Sequence, residues 1–325
     1  MSSTSDRTDR ERTDRERTDR DASTPTGVVV GYDGSAGARL ALDWAVETAR
    51  RDDRDLTIVH AIGLSAGATA GAYDAGPTAQ LYEEMTEGLV EEAVERAAKE
   101  LDRSRVHAVS LVGSPSAELV EASRHVDLVV TGSRGRGDAR SGLLGSTAYA
   151  VTAHAHCPVV VVRGDETVHA GPGHPVVVGV DESEAAARAL DAAATLAAAA
   201  EAPLHVVVVD DVPSAAMWAA DPAPGAAFPV PASWVRDVTE ETHTASAGVA
   251  GALADRVRTA HPGLSVVESV LDGPPGVTVA EHARRVGAGL VVVGSRGRGG
   301  FRGMLLGSVS HRVVHDAPCP VMVIR

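Results

Sequence analysis

A chain of 325 residues and 33.3 kDa is long enough for two domains rather than one. Hydrophobic residues make up 44 % of it, yet only nine side chains are aromatic (three Trp, four Tyr and two Phe), so the core must be packed with Val, Ala and Leu. With 30 basic against 44 acidic side chains the net charge is −14, which excludes the broad basic field that non-specific nucleic-acid binding requires. Two cysteines, Cys157 and Cys319, are too few for a disulfide framework or for most structural metal sites. No run approaches the roughly 20 apolar residues that cross a bilayer. The N-terminus alternates charges where a secretory signal would be apolar. The expectation is a cytoplasmic protein without membrane insertion.

Residues 1–26 repeat Arg, Thr, Asp and Glu, with six Arg against seven acids and almost nothing to bury, so a disordered charged tail is expected there. From residue 27 onward, short apolar runs alternate with longer amphipathic segments. Strands are expected near 27–31, 56–61, 106–111, 128–131 and 158–162, and helices over 36–51, 81–101, 116–124 and 146–153. On the first helix, Leu40, Trp44, Ala45 and Thr48 share one face, while Arg39, Asp43, Glu47 and Arg50 lie elsewhere. Residues 164–174 contain Gly171-Pro172-Gly173 and read as a linker. The pattern then returns, with strands near 176–180, 204–209, 265–270, 290–293 and 321–324. Strand–helix alternation of this kind implies a doubly wound parallel sheet in each half.

The halves are copies of one unit. Residues 127–163 and 289–325 align without a gap and are identical at 21 of 37 positions. Val30-Gly31-Tyr32-Asp33-Gly34-Ser35 answers Val178-Gly179-Val180-Asp181-Glu182-Ser183. The starts are 148 residues apart and the ends 162, so the second copy carries 14 extra residues, expected between Pro213 and Pro231. The domains expected are therefore 27–163 and 175–325.

Ligands of open α/β sheets bind beyond the carboxyl ends of strands, where the winding reverses. Asp33 and Asp181 follow the first strand of each copy. After the fourth strand come Gly132-Ser-Arg-Gly135, nine residues, then Gly145-Ser146; the second copy repeats this as Gly294-Ser-Arg-Gly297, nine residues, then Gly307-Ser308. Glycines admit main-chain amides close to an anion, and the Gly-Ser pair opens a helix whose free N–H groups face the same anion. Arg134, Arg136, Arg296 and Arg298 add local positive charge. No Walker lysine motif exists, because Lys99 is the chain's single lysine and is expected mid-helix. Asp33 and Asp181 fit a ribose or base contact or, alternatively, a cap for the first helix, a role open equally to Ser35 and Ser183.

The G-x-x-G-x9-G-[ST] pattern after a strand, V-G-x-D-x-S at the opening and C-P-V-x-V-x-R at the close together resemble the universal stress proteins, in their tandem, ATP-binding form. The resemblance covers both copies and omits only the charged tail. It implies two five-stranded parallel sheets of order 3-2-1-4-5, of the adenine-nucleotide α-hydrolase type. It carries nucleoside contacts to Gly31, Asp33 and Ala61, and to Gly179, Asp181 and Val209. Phosphate contacts fall on Gly132, Gly135, Gly145, Ser146 and Thr147, and on Gly294, Gly297, Gly307, Ser308 and Val309. The ligand implied is ATP with magnesium. Glu182 stands where the first copy has Gly34, and an added carboxylate there should weaken the second site. Fifth strands of the family commonly pair antiparallel, which implies that 158–162 and 320–324 join either within one chain or in a homodimer.

Other readings stay open. Cys157 and Cys319 fit small buried apolar positions, or a redox pair if the fifth strands meet. His154, His156, His311 and His315 lack a third partner for zinc. Trp218, Phe228 and Trp234 suit a lid or edge packing. The function expected is a nucleotide-dependent regulator of stress response or growth arrest acting on a protein partner, with at most slow ATP hydrolysis and no catalytic residue. A hydrolase or transferase of the same topology, and an interaction module independent of nucleotide, are the alternatives.

Overall fold

In a computed structural model the described residues are 27–62, 76–135, 144–164, 166–211, 232–297 and 306–325. The first half runs β1 (Val28–Gly31), α1 (Ala36–Arg51), β2 (Leu56–Ile62), α2 (Gly76–Ala97), β3 (Val106–Val112), α3 (Pro115–Ala122), β4 (Leu128–Gly132), α4 (Ser146–His154) and β5 (Val159–Val162). The second repeats it as β6 (Val176–Gly179), α5 (Glu184–Ala199), β7 (Leu204–Asp210), α6 (Ala232–Ala260), β8 (Val266–Asp272), α7 (Pro275–Val286), β9 (Leu290–Gly294), α8 (Ser308–Asp316) and β10 (Val321–Ile324).

The sheet order is β3-β2-β1-β4-β5-β10-β9-β6-β7-β8, so each half has the order 3-2-1-4-5. The two five-stranded sheets join edge to edge through their fifth strands. β5 and β10 pair antiparallel about Val160↔Met322, while every other neighbouring pair is parallel. Both strands are wholly buried, which hides two edges that would otherwise offer unpaired backbone groups.

The central strands are near-continuous valine because helices cover both of their faces. α1, α2, α5 and α6 pack on one face, against Val28, Val30, Ile58, Val178 and Val206. The helices α3, α4, α7 and α8 cover the other, against Val29, Val129, Val159, Val177 and Val291. Alanine at most of the buried positions of α5 (Ala186, Ala189, Ala193 and Ala197, beside Leu190) lets that helix lie close to the sheet. The start of α1 is fixed by Ser35, whose side chain accepts from the Ala38 amide, and Ser183 does the same for α5 through Ala186.

Several boundaries differ from expectation. α2 begins at Gly76 and ends at Ala97, so Lys99 lies in the turn beyond it rather than mid-helix. The proline of Gly76-Pro77 falls in the first turn, where its missing N–H is harmless. The additional length of the second copy is shared, because α6 has 29 residues against 22 in α2. The stretch 213–231, with Trp218 and Phe228, lies outside the described residues, as does the side chain of Trp234.

The two terminal arginines of the repeats lock the halves together. Arg163, just past β5, donates to the Val314 carbonyl in the last turn of α8 at 2.6 Å, and Arg325, just past β10, donates to Thr152 O in the last turn of α4 at 2.7 Å. Each guanidinium thus caps the negative helix end of the opposite half. Burial pulls both below the ordinary arginine range. Arg163→Met should lower stability by about 1–3 kcal/mol by orphaning that carbonyl; an unchanged urea midpoint overturns the capping role.

The second half also buries a histidine pair absent from the first. His205 Nδ1 lies 3.2 Å from His282 Nε2, and Arg285 lies 2.7 Å from the other ring nitrogen of His282. Thr57 and Ala122 occupy the equivalent places. Burial, followed by His205 and Arg285, pushes His282 down to about 4. A histidine protonated only near pH 4 when folded, but near 6.5 when unfolded, contributes stability that is complete above 6.5 and declines as pH falls towards 4. His282→Ala should flatten this acid slope in melting temperature. Equal slopes in the two proteins would contradict it.

Candidate functional site

The winding reverses between β1 and β4, whose residues pair directly from Val28↔Leu128 to Val30↔Val130. Connections leave these strands towards opposite faces of the sheet, so a cleft opens beyond their carboxyl ends. A cavity of about 280 Å³ lies there, near the low end of the about 300–1,000 Å³ usual for small-ligand sites. All eight first-copy residues singled out from the sequence line it: Gly31, Asp33, Ala61, Gly132, Gly135, Gly145, Ser146 and Thr147. Val59, Pro115 and Leu119 supply an apolar wall beside Ala61, and Arg134 supplies a cation.

The glycines are there for different reasons. A Cβ on Gly132 would meet the Gly37 carbonyl at 2.6 Å, so that glycine lets the first turn of α1 cross close over β4. A Cβ on Gly135 would fall 2.7 Å from Asp33 Oδ2, so the loop after β4 folds directly against the carboxylate after β1. Gly145 is the N-cap of α4 and makes no side-chain cap bond, and the helix opens onto this cavity at Ser146 and Thr147. α1 differs, since Ser35 caps it. Asp33 Oδ1 accepts from the Ser35 amide at 3.0 Å, which steadies the carboxylate at the cavity wall.

The second copy repeats the arrangement in its backbone. Gly179 ends β6, Val209 lies in β7 and Gly294 ends β9; Gly307 is the N-cap of α8, again without a side-chain bond, followed by Ser308 and Val309. A Cβ on Gly297 would stand 2.5 Å from Asp181 Oδ2, and Asp181 Oδ1 accepts from the Ser183 amide at 3.0 Å. The copies differ at the next residue. Gly34 has φ +75°, whereas the exposed Glu182 is not among the positive-φ residues, so the loop backbone changes along with the charge.

Residues 26–163 and 173–325 each match the universal stress protein family. The chain belongs to that family. A universal stress protein of Mycolicibacterium smegmatis is 34 % identical over 316 residues, spanning 94 % of this chain and 98 % of the relative. One from Mycobacterium tuberculosis is 30 % identical over 306 residues, spanning 92 % and 96 %. Among solved structures, a universal stress protein from Archaeoglobus fulgidus superposes with a TM-score of 0.61 at 23 % identity, covering 92 % of this chain and 96 % of that one, a likeness of fold. Tandem family domains thus account for both halves, and no helix among the described residues is long and apolar enough to cross a membrane.

The remaining candidates of this universal stress protein sort by burial. His154, His156 and His311 are exposed, and His315 pairs with Asp316 at 2.7 Å, so these histidines do not converge. A different group escaped the sequence because its members are far apart: Asp210, His243 and Asp272 bring their ligand atoms within 4.8 Å of one another. Both cysteines are free and buried, and burial pushes Cys157 up to about 11 and Cys319 up to about 12. Reaction with a disulfide reagent at about pH 8 should therefore be slow in the native protein and fast in denaturant. Prompt modification of two thiols in the native state would restore the redox reading.

Proposed function

We propose that the chain is a nucleotide-dependent regulator that takes an adenine nucleotide, ATP with magnesium, into the clefts beyond β1 and β4 and beyond β6 and β9. The observation that carries this reading is the meeting of three features in one cavity: the uncapped amides of α4, the loop glycine packed on Asp33, and an apolar wall. The amides and Arg134 suit phosphates, the wall beside Ala61 suits a purine, and Asp33 suits a ribose hydroxyl. Magnesium would sit on the phosphates, shielding Asp33 and, in the second copy, Glu182 from the negative charge of the ligand.

The described lining of the first cavity offers Tyr32, Asp33, Thr131, Arg134, Ser146 and Thr147 as polar side chains, with neither lysine nor histidine among them. That set suits holding a nucleotide better than turning it over, and supports regulation over hydrolysis. Occupancy would alter the surface at that end of the sheet, where a protein partner reads it. The −14 charge argues against nucleic acid as the partner.

Gly135→Glu should abolish binding at the first site, because the added side chain starts 2.7 Å from the Asp33 carboxylate and brings a second negative charge. Calorimetry with magnesium-ATP on wild type, Gly135→Glu and Gly297→Glu checks this, with circular dichroism confirming the fold. Undiminished binding in Gly135→Glu overturns the site, and turnover above about 1 s⁻¹ would make the protein an enzyme.

A further inference from the structure

The group formed by Asp210, His243 and Asp272 lies apart from the nucleotide cleft. Asp210 ends β7 and Asp272 ends β8, and the two are direct partners in the parallel register. Along β7 the side chains alternate: Val207 packs on the α7 face and Val206 and Val208 on the α6 face, so Asp210 is on the α6 side. Val209, the position expected at the base, points the other way.

Three observations make this more than a chance grouping. First, the Asp210 side chain is only 4 % exposed, and its Oδ2 is buried without a hydrogen-bond partner among the described residues. His243 Nδ1 stands 3.6 Å from Oδ2, too far for a hydrogen bond but close to the spacing of two ligands on one ion. Ligand bonds of about 2.0–2.1 Å in a tetrahedral site place their donor atoms about 3.4 Å apart. Second, two carboxylates side by side on neighbouring strands repel unless a cation lies between them. The register partners at the same places in the first copy are Ile62↔Val112, so the carboxylates belong to the second copy alone and the fold does not require them. Third, the surroundings orient the group. Ser246, one turn beyond His243 on α6, donates its hydroxyl to Asp210 Oδ1, which leaves Oδ2 directed at the cluster.

We propose that Asp210, His243 and Asp272 bind a divalent transition-metal ion of the zinc type. An imidazole nitrogen beside two carboxylates favours such an ion over magnesium or calcium, which prefer all-oxygen sets. His243 and Asp272 are exposed, so three protein ligands leave positions open to water or to a further ligand. The ion would tie the carboxyl ends of β7 and β8 to α6. That bond has no counterpart in the first copy, where the equivalent strand positions are apolar.

The test uses the full-length protein free of nucleotide, so its failure leaves the nucleotide reading untouched. Zinc chloride titrated against a competing chelator should show one tight equivalent, and cobalt should give the visible absorption of a low-coordinate nitrogen–oxygen site. Asp210→Ile combined with Asp272→Val installs the first copy's own residues and should weaken zinc at least tenfold without lowering the metal-free melting temperature. His243→Ala, which leaves both strands intact, should also lose at least tenfold. No tight equivalent in the wild type, or equal zinc affinity in both variants, overturns the site.

Discussion

Beyond β1 and β4 the backbone leaves the sheet in opposite directions, and no crossover connection covers the gap between the two strand ends. This constraint of a doubly wound sheet comes before any side-chain chemistry. It places the residue after β1, Asp33, opposite the loop after β4, and their meeting is close enough that a Cβ at position 135 would push the Asp33 carboxylate aside. It also aims the start of α4 into the same space, with Gly145 as a cap that has no side chain to bond the helix amides. The second half obeys the constraint independently through Asp181, Gly297 and Gly307. The candidate nucleotide site is therefore a property of the winding that glycines keep open.

Much of this was legible in the amino-acid order because it depends on local spacing. α1 spans 36–51, as its apolar face and Ser35 indicate, and the valine runs mark the strands to within a residue or two at their ends. Eight candidate residues of the first copy, scattered from Gly31 to Thr147, share one cavity because each lies at or just beyond the carboxyl end of a strand or opens a helix. Ser35 and Ser183 settle the capping question that local sequence left open, bonding the Ala38 and Ala186 amides, while Asp33 and Asp181 accept from the Ser35 and Ser183 amides and stand against the loop glycines.

What the sequence did not reveal depends on register and on contacts between halves. Asp210 and Asp272 become neighbours only when β7 and β8 are aligned, and His243 joins them only by its angular position on a 29-residue helix. Arg163 and Arg325 look like the ends of a repeated motif, yet each completes a helix of the other copy. His205 and His282 sit where Thr57 and Ala122 stand in the first half, and nothing in their spacing of 77 residues announces a contact. At the aspartate–histidine group and the histidine pair, the repeated framework stayed fixed while the second copy carries polar groups of its own.

The antiparallel union of β5 with β10 fixes the direction of everything attached to it. All strands of the first half run one way and all strands of the second run the other, so their carboxyl ends emerge at opposite rims of the shared sheet. The two candidate clefts consequently look away from each other. A rigid binding protein seated over one cannot also reach the other, and a signal sent by both needs either two bound molecules or a long flexible one that wraps around the rim.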